Sequence, residues 1–341
     1  MTALALVESP VQLLHVIEWC HATGSADRTS IAVLAPGDST SRRQLRAMLD
    51  YAEEEGIATR WCDPRRQGPA ALVGTLAGLR SALRAADRLV VGDPFSGLIQ
   101  LLLPAYRGDR LVVVDDGTAT MEFTTRLAEG SPLLRWDAPP GLATRLRHPA
   151  ARRAHRIFSP SPGRPVTVFT VMPASRVPGL LIHPNHYDWA RGRFGRPSVV
   201  PGTDIVGTSL VESGVVAVDA YLDQVAALAA GGSGRYYAHR READDKLARI
   251  AERTGLQVVR PRVPLELELR RGPVAERVVG FPSSVGYTLP VVLAGVGTRV
   301  ELLPVEPAWL APGIGAGTRQ FLASIAAKQP VSVGRRSAAR R

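Results

Sequence analysis

Residues 111–118 read Leu-Val-Val-Val-Asp-Asp-Gly-Thr, and they constrain the fold more than any other stretch of the chain. Four aliphatic residues in succession predict a strand covered on both faces, as in a parallel sheet packed between helices. The strand ends in two acids, at the position where open α/β sheets hold their ligands. Gly117 allows a sharp turn, or a ligand close to the main chain. Two adjacent carboxylates repel, and crowding raises the pKa of one of them toward that of a working base. The competing structural reading makes Asp116 an N-cap at a strand-to-helix turn.

Two later segments bear on that choice. Arg235-Tyr236-Tyr237-Ala238-His239-Arg240-Arg241-Glu242 follows the loop 231–234 and precedes the helical pattern of Lys246, Leu247 and Ile250. A short strand thus delivers a histidine, with arginines beside it, close to a helix start. Backbone N–H groups and guanidinium groups together suit a phosphate; an ordinary surface histidine is the alternative. Val279-Gly280-Phe281-Pro282-Ser283-Ser284 then places two hydroxyls before an apolar helix, either as caps or as phosphate donors.

In this order the three segments resemble the bacterial sialyltransferases and the α-2,8-polysialyltransferase-like group. Asp115-Asp116-Gly117 matches their acidic motif and the following TATMEF continues in that style. His239 matches the histidine of their His-Pro-type motif, and Ser283-Ser284 matches their downstream Ser/Thr pair. Glu8-Ser9-Pro10-Val11-Gln12-Leu13-Leu14 and Leu210-Val211-Glu212-Ser213-Gly214 are similar to further segments of the group, so the resemblance runs from about residue 5 to about residue 300. Arg240 stands where many relatives have proline.

The resemblance implies a GT-B-like α/β architecture, two Rossmann-like domains facing a central cleft. It also implies inverting transfer of a sialic acid or related nonulosonic acid from its CMP-activated form to a glycan hydroxyl. Asp116 is then the base, Asp115 its orienting neighbour, and His239 the group acting on the departing phosphate. Arg240, Ser283, Ser284, Gly280 and Gly117 fall on the donor side. Ser9, Pro10, Gln12 and Asp93, at two other strand ends, are acceptor-side candidates. The CMP-sugar is a substrate; no cofactor and no metal are expected. Two rival classes remain open: a GT-B enzyme using a UDP- or GDP-sugar, and a nucleotide- or polyanion-binding protein without catalysis. A literal His183-Pro184 also occurs, and its position in a proline-rich stretch predicts a turn.

The remainder of the sequence agrees with a two-domain enzyme. A length of 341 residues suits two domains of about 150 residues each. Hydrophobic residues at 45% exclude disorder as the main state. No apolar run reaches the ~18 residues of a membrane span, and 3–7 reads as a strand rather than a signal peptide. Two cysteines without Cys-x-x-Cys spacing indicate neither a disulfide framework nor zinc. The expected location is therefore cytoplasmic.

The formal charge of +11 raises nucleic-acid binding. Dispersed arginines, 6% aromatics and the absence of a recognisable motif argue against it. The basic tail 335–341 offers a second reading, peripheral contact with an anionic membrane, against simple solvation.

Alternating strand and helix patterns place a first domain at 1–165, a connection at 166–203, a second domain at 204–325 and a disordered basic tail at 326–341. Oligomeric state, acceptor identity and whether the enzyme polymerises are not legible.

Overall fold

The computed structural model describes residues 1–63, 68–135, 141–232, 234–311 and 314. The chain divides into two units, residues 1–193 with 262–264, and residues 194–261 with 265–341.

The first unit runs β1 (Ala3–Val7), α1 (Pro10–Thr23), β2 (Thr29–Leu34), α2 (Ser39–Glu54), β3 (Ala58–Cys62), α3 (Pro69–Ala85), β4 (Arg88–Val91) and α4 (Gly97–Leu102). It continues through β5 (Arg110–Val114), α5 (Thr118–Ala128), α6 (Leu142–Phe158), β6 (Val166–Thr170), β7 (Leu180–Pro184) and α7 (Asp188–Phe194). Its seven-stranded sheet has the order β3-β2-β1-β4-β5-β6-β7, and every pairing is parallel. All five residues of β1 are buried, as a central strand covered on both faces requires. The core beneath one face gathers Leu6, Val91, Val113, Phe123, Phe158 and Val168.

The second unit runs β8 (Val199–Val206), α8 (Val218–Ala229), β9 (Arg235–Tyr237), α9 (Asp244–Thr254), β10 (Gln257–Val259), α10 (Leu265–Arg271), β11 (Val274–Gly280), α11 (Val285–Val292) and β12 (Arg299–Leu302). Its five parallel strands are ordered β10-β9-β8-β11-β12. Ile205, Tyr221, Leu222, Tyr236, Ile250 and Phe281 form its core.

Three expectations need correction. The 166–203 segment is not a connection: β6 extends the first sheet beside β5, with Val166, Val168 and Phe169 buried, and β7 forms its edge. The boundary between units lies at 193/194 rather than at 165/166 and 203/204. Prolines 160, 162, 165, 173 and 178 crowd the loops around β6 and β7, which is why the apolar runs 166–171 and 179–182 read as parts of a connection. His183-Pro184, expected in a turn, closes β7 instead, with the His183 ring edge-on to Phe169 at 5.3 Å. The basic tail lies outside the described residues. Among the described residues no helix is long and apolar enough to cross a membrane.

Candidate active site

In each sheet the strand order reverses at one point, and the crevice outside the carboxyl ends there is the ligand position of open α/β sheets. In the first unit that point falls between β1 and β4. Glu8 and Ser9 leave one strand end, Gly92 and Asp93 the other, and Asp115 and Asp116 leave the adjacent β5.

The residues after β1 hold the turn together. Ser9 is the N-cap of α1, its hydroxyl accepting from the Gln12 N–H at 3.2 Å, and Pro10 fills the first turn, where a missing N–H costs nothing. The Gln12 side chain folds back to accept from the Glu8 N–H at 2.7 Å. It also lies within 2.4 Å of where a Cβ at Gly92 would sit, so only glycine admits it there. Ser9, Pro10 and Gln12 therefore shape the crevice.

The acidic pair is divided by its surroundings. Asp115 is fully buried; its carboxylate accepts from the Thr170 hydroxyl and, at 2.8 Å, from the Val171 N–H. Burial nevertheless pushes its pKa up. Its carbonyl meets His15 Nδ1 at 2.8 Å, and His15 Nε2 meets the Tyr187 hydroxyl at 2.7 Å. Asp115 is thus the pin that joins β5 to the end of β6. Asp116 is half-buried, and its N–H donates to Thr120 Oγ1 at 2.9 Å. Gly117 follows with φ 64° and ψ −132°, a backbone closed to L side chains, and so α5 starts directly after the acid.

Asp93 is the third acid here. It is buried, accepts from the Phe95 N–H at 2.8 Å and is ion-paired to Arg135. Burial first, and then the charge of Asp116, raise its pKa to about 7, against the pull of Arg135. That electrostatic effect ties Asp93 and Asp116 into one acidic cluster, with Glu8 adding to it.

In the second unit the reversal falls between β8 and β11. His239 leaves β9 on one side of β8, and Gly280 with the serine pair leaves β11 on the other, two strand spacings or about 10 Å apart. His239 Nδ1 accepts from the Arg241 N–H at 3.2 Å, which places the imidazole proton on Nε2. Burial, then Arg240, Arg241 and Lys246, lower its pKa to about 4. It is a neutral ring with one N–H to offer.

The loop carrying His239 is held from beneath. Glu242 accepts from the His239 N–H at 2.6 Å and from the Tyr236 hydroxyl at 2.6 Å, and it pairs with Lys246 at 2.7 Å. Lys246 also reaches Glu212 at 2.9 Å, and Tyr221 caps Tyr236 at 2.6 Å. Gly207 permits this approach, since a Cβ there would lie 2.2 Å from Glu242. None of Glu242, Lys246 and Tyr221 was assigned a role from sequence, although Glu212 lies in the LVESG segment quoted above. The N-terminus of α9, expected to contribute to an anion site, is already matched by Asp244 and Asp245 and by Glu212 accepting from Ala243.

Ser283 donates to the Phe281 carbonyl at 3.1 Å, and the half-buried Ser284 precedes α11 without a side-chain capping bond. A Cβ at Gly280 would stand 3.3 Å from Leu302, so this glycine serves the packing of β11 on β12. Arg240 is half-buried beside the histidine. Among the described residues no cluster of three His, Cys, Asp or Glu side chains suits a metal ion.

Two parallel sheets, each with a Rossmann-type reversal, give the chain the GT-B fold. Among solved structures it is similar to the α/β-galactoside α-2,3-sialyltransferase of the luminous marine bacterium Photobacterium phosphoreum. The TM-score is 0.51 at 10% identity, over 88% of this chain and 90% of that one. It is also similar to a glycosyltransferase of Rickettsia africae, with TM-score 0.47, 8% identity and coverage of 95% and 88%. The heptosyltransferase of E. coli with ADP-2-deoxy-2-fluoro heptose follows at TM-score 0.41, 15% identity and 90% of each chain. No protein-family profile matches the chain, and no curated protein matches it significantly.

Proposed function

We propose that the protein is an inverting glycosyltransferase that moves a sialic acid or related nonulosonic acid from its CMP-activated form to a hydroxyl of a glycan acceptor. The observation that carries this reading is the division of the acidic pair: Asp115 is consumed by the fold, and Asp116 is left half-exposed at a ligand-binding strand end. The sequence resemblance supports the CMP donor, and the sialyltransferase likeness supports the fold.

In this mechanism Asp116 takes the proton of the acceptor hydroxyl as its oxygen bonds to the anomeric carbon. The bond from that carbon to the phosphate oxygen breaks, and its electron pair leaves with CMP. Negative charge therefore grows on the phosphate, where the His239 Nε2–H, Arg240 and the Ser283-Ser284 hydroxyls stabilise it. A neutral His239 acts as a fixed donor rather than as an imidazolium acid. Asp93 holds a second proton position near Asp116, and its partner Arg135 limits the charge of the cluster. The donor brings a single phosphodiester charge, so protein donors suffice without a metal.

Thermal unfolding with nucleotides tests the donor. CMP at a hundredfold above its Kd should add about 2.7 kcal/mol of stability, and UMP and GMP at the same concentration less. CMP release from CMP-sialic acid should survive a chelator. Equal stabilisation by all three nucleotides returns the reading to a UDP- or GDP-sugar enzyme. CMP binding with no turnover of any CMP-sugar returns it to a binding protein.

A further inference from the structure

The strongest unassigned feature lies in the first unit, away from its strand-end acids. A cavity of about 360 Å³ opens between α3, the end of α4 and α6, lined by Arg80, Arg84, Arg153, Gln100, Leu101 and Pro104. Arg80 and Arg84 of α3 and Arg153 of α6 face it, and α3, α4 and α6 contain no Asp or Glu to balance them. Among the described residues Arg80, Arg84 and Arg153 have no acidic partner, although the sequence holds 31 acids. Three arginines lining one cavity suit an oxyanion with several acceptor oxygens, above all a phosphate.

Exposed aliphatic side chains lie on the same three helices. Leu101, itself a lining residue, is 59% exposed. Leu146 is 73% exposed and sits on the helical stripe of Ala150 and Arg153, at spacings of four and seven residues. Val73 is 66% exposed and precedes Arg80 by seven residues on α3. Large exposed aliphatic side chains on the helices that carry a cationic cavity do not suit a free anion or a nucleic-acid backbone, which offer them nothing apolar. They suit a bilayer interface, where arginines meet phosphates while aliphatic side chains enter the acyl boundary.

We propose that this face docks the protein on an anionic bilayer. Arg80, Arg84 and Arg153 close on one lipid phosphate, and Val73, Leu101 and Leu146 enter the interface. The docking is independent of which sugar nucleotide the enzyme uses, and it differs from the contact through the tail 335–341 considered from sequence.

Sedimentation of the full chain with extruded vesicles tests it. Binding to phosphatidylcholine with 30% phosphatidylglycerol is expected, and far weaker binding to phosphatidylcholine alone. A charge near an anionic leaflet is worth about fivefold in partitioning, so the combined Arg80→Gln, Arg84→Gln and Arg153→Gln should lower it about a hundredfold. The matching lysine variant should keep most of the binding and shows that charge, not folding, is read. Leu101→Trp should shift its fluorescence to the blue with the anionic vesicles only. Neutralising Arg335, Arg336, Arg340 and Arg341 should leave the cavity dependence in place. Binding that vanishes with the tail and ignores the cavity overturns the proposal. So does an unchanged emission spectrum of the Leu101→Trp variant, or a face that holds an oligonucleotide or glycerol phosphate tightly and vesicles not at all.

Discussion

The strand ends of the two units share one architecture and carry opposite chemistry. In the first, Asp93 and Asp116 interact within one acidic cluster and Asp93 is pushed toward holding its proton. In the second, His239 sits among Arg240, Arg241 and Lys246 and is pushed toward losing its own. The difference teaches how one strand-end architecture accepts opposite electrostatics: burial beside other carboxylates favours a held proton on Asp93, and burial beside cations favours a neutral His239. In each unit a buried residue fixes the arrangement. Asp115 pins the acidic turn through Thr170 and Val171, and Glu242 pins the His239 loop.

The acidic side offers the largest effect. Asp116→Asn should lower kcat by roughly 10²–10⁴ with CMP affinity nearly unchanged, measured by steady-state kinetics and calorimetry. Asp115→Asn should instead appear as lost stability, about 1–3 kcal/mol for a disturbed buried acceptor, in urea unfolding. A stable Asp115→Asn protein with a kcat as low as that of Asp116→Asn reverses the two roles.

On the cationic side, His239→Ala should cost about 10²–10³ in kcat, the worth of one donor aimed at developing charge. His239→Gln keeps an N–H donor and should recover part of the loss. If Gln is as poor as Ala, and a donor with a better leaving group rescues both, His239 is a proton-transferring acid and not a fixed donor.

The contrast should also show in stability against pH. Asp93 has a folded pKa near 7, above its unfolded value of 3.8, so the native state holds the extra proton and loses stability as pH rises between these values. His239 has a folded pKa near 4, below its unfolded 6.5, so the native state loses stability as pH falls between them. Asp93→Asn should therefore raise the unfolding free energy, and with it the Tm, more at pH 8 than at pH 4, by at most about 4 kcal/mol. His239→Asn should raise it more at pH 4 than at pH 8, by somewhat less. Calorimetry over pH 4–8 reads both, and slopes of equal sign would break the comparison.

The smallest effects belong to the hydroxyls. Ser284→Ala should raise the donor KM by about two- to tenfold, the value of one neutral hydrogen bond. Ser283→Ala should do less, because its hydroxyl also serves the Phe281 carbonyl. A kcat loss from either would place it on the breaking bond.

The legible part of the fold follows from local pattern. The buried run before Asp115, the alternation of strand and helix, and the Asp-Asp-Gly turn all rest on neighbours in sequence, and both parallel sheets appeared as expected. The apolar runs of β6 and β7 were legible, but their place in the first sheet was not, because β6 pairs with β5 more than fifty residues away and β7 with β6, while local prolines point to a connection. Asp93 was legible as an acid at a strand end, but its raised pKa was not, because that depends on Asp116 and Arg135 arriving from β5 and the 129–135 segment.

The amino-acid order alone determined which residues stand at the strand ends, since period, turn glycines and caps act over a few residues. The tertiary structure alone decided what those residues became. Burial and charge act through space, so only folding could lock Asp115 and leave Asp116 half-exposed. Only the folded loop could set the His239 proton on Nε2, through the backbone of Arg241 and the support of Glu242.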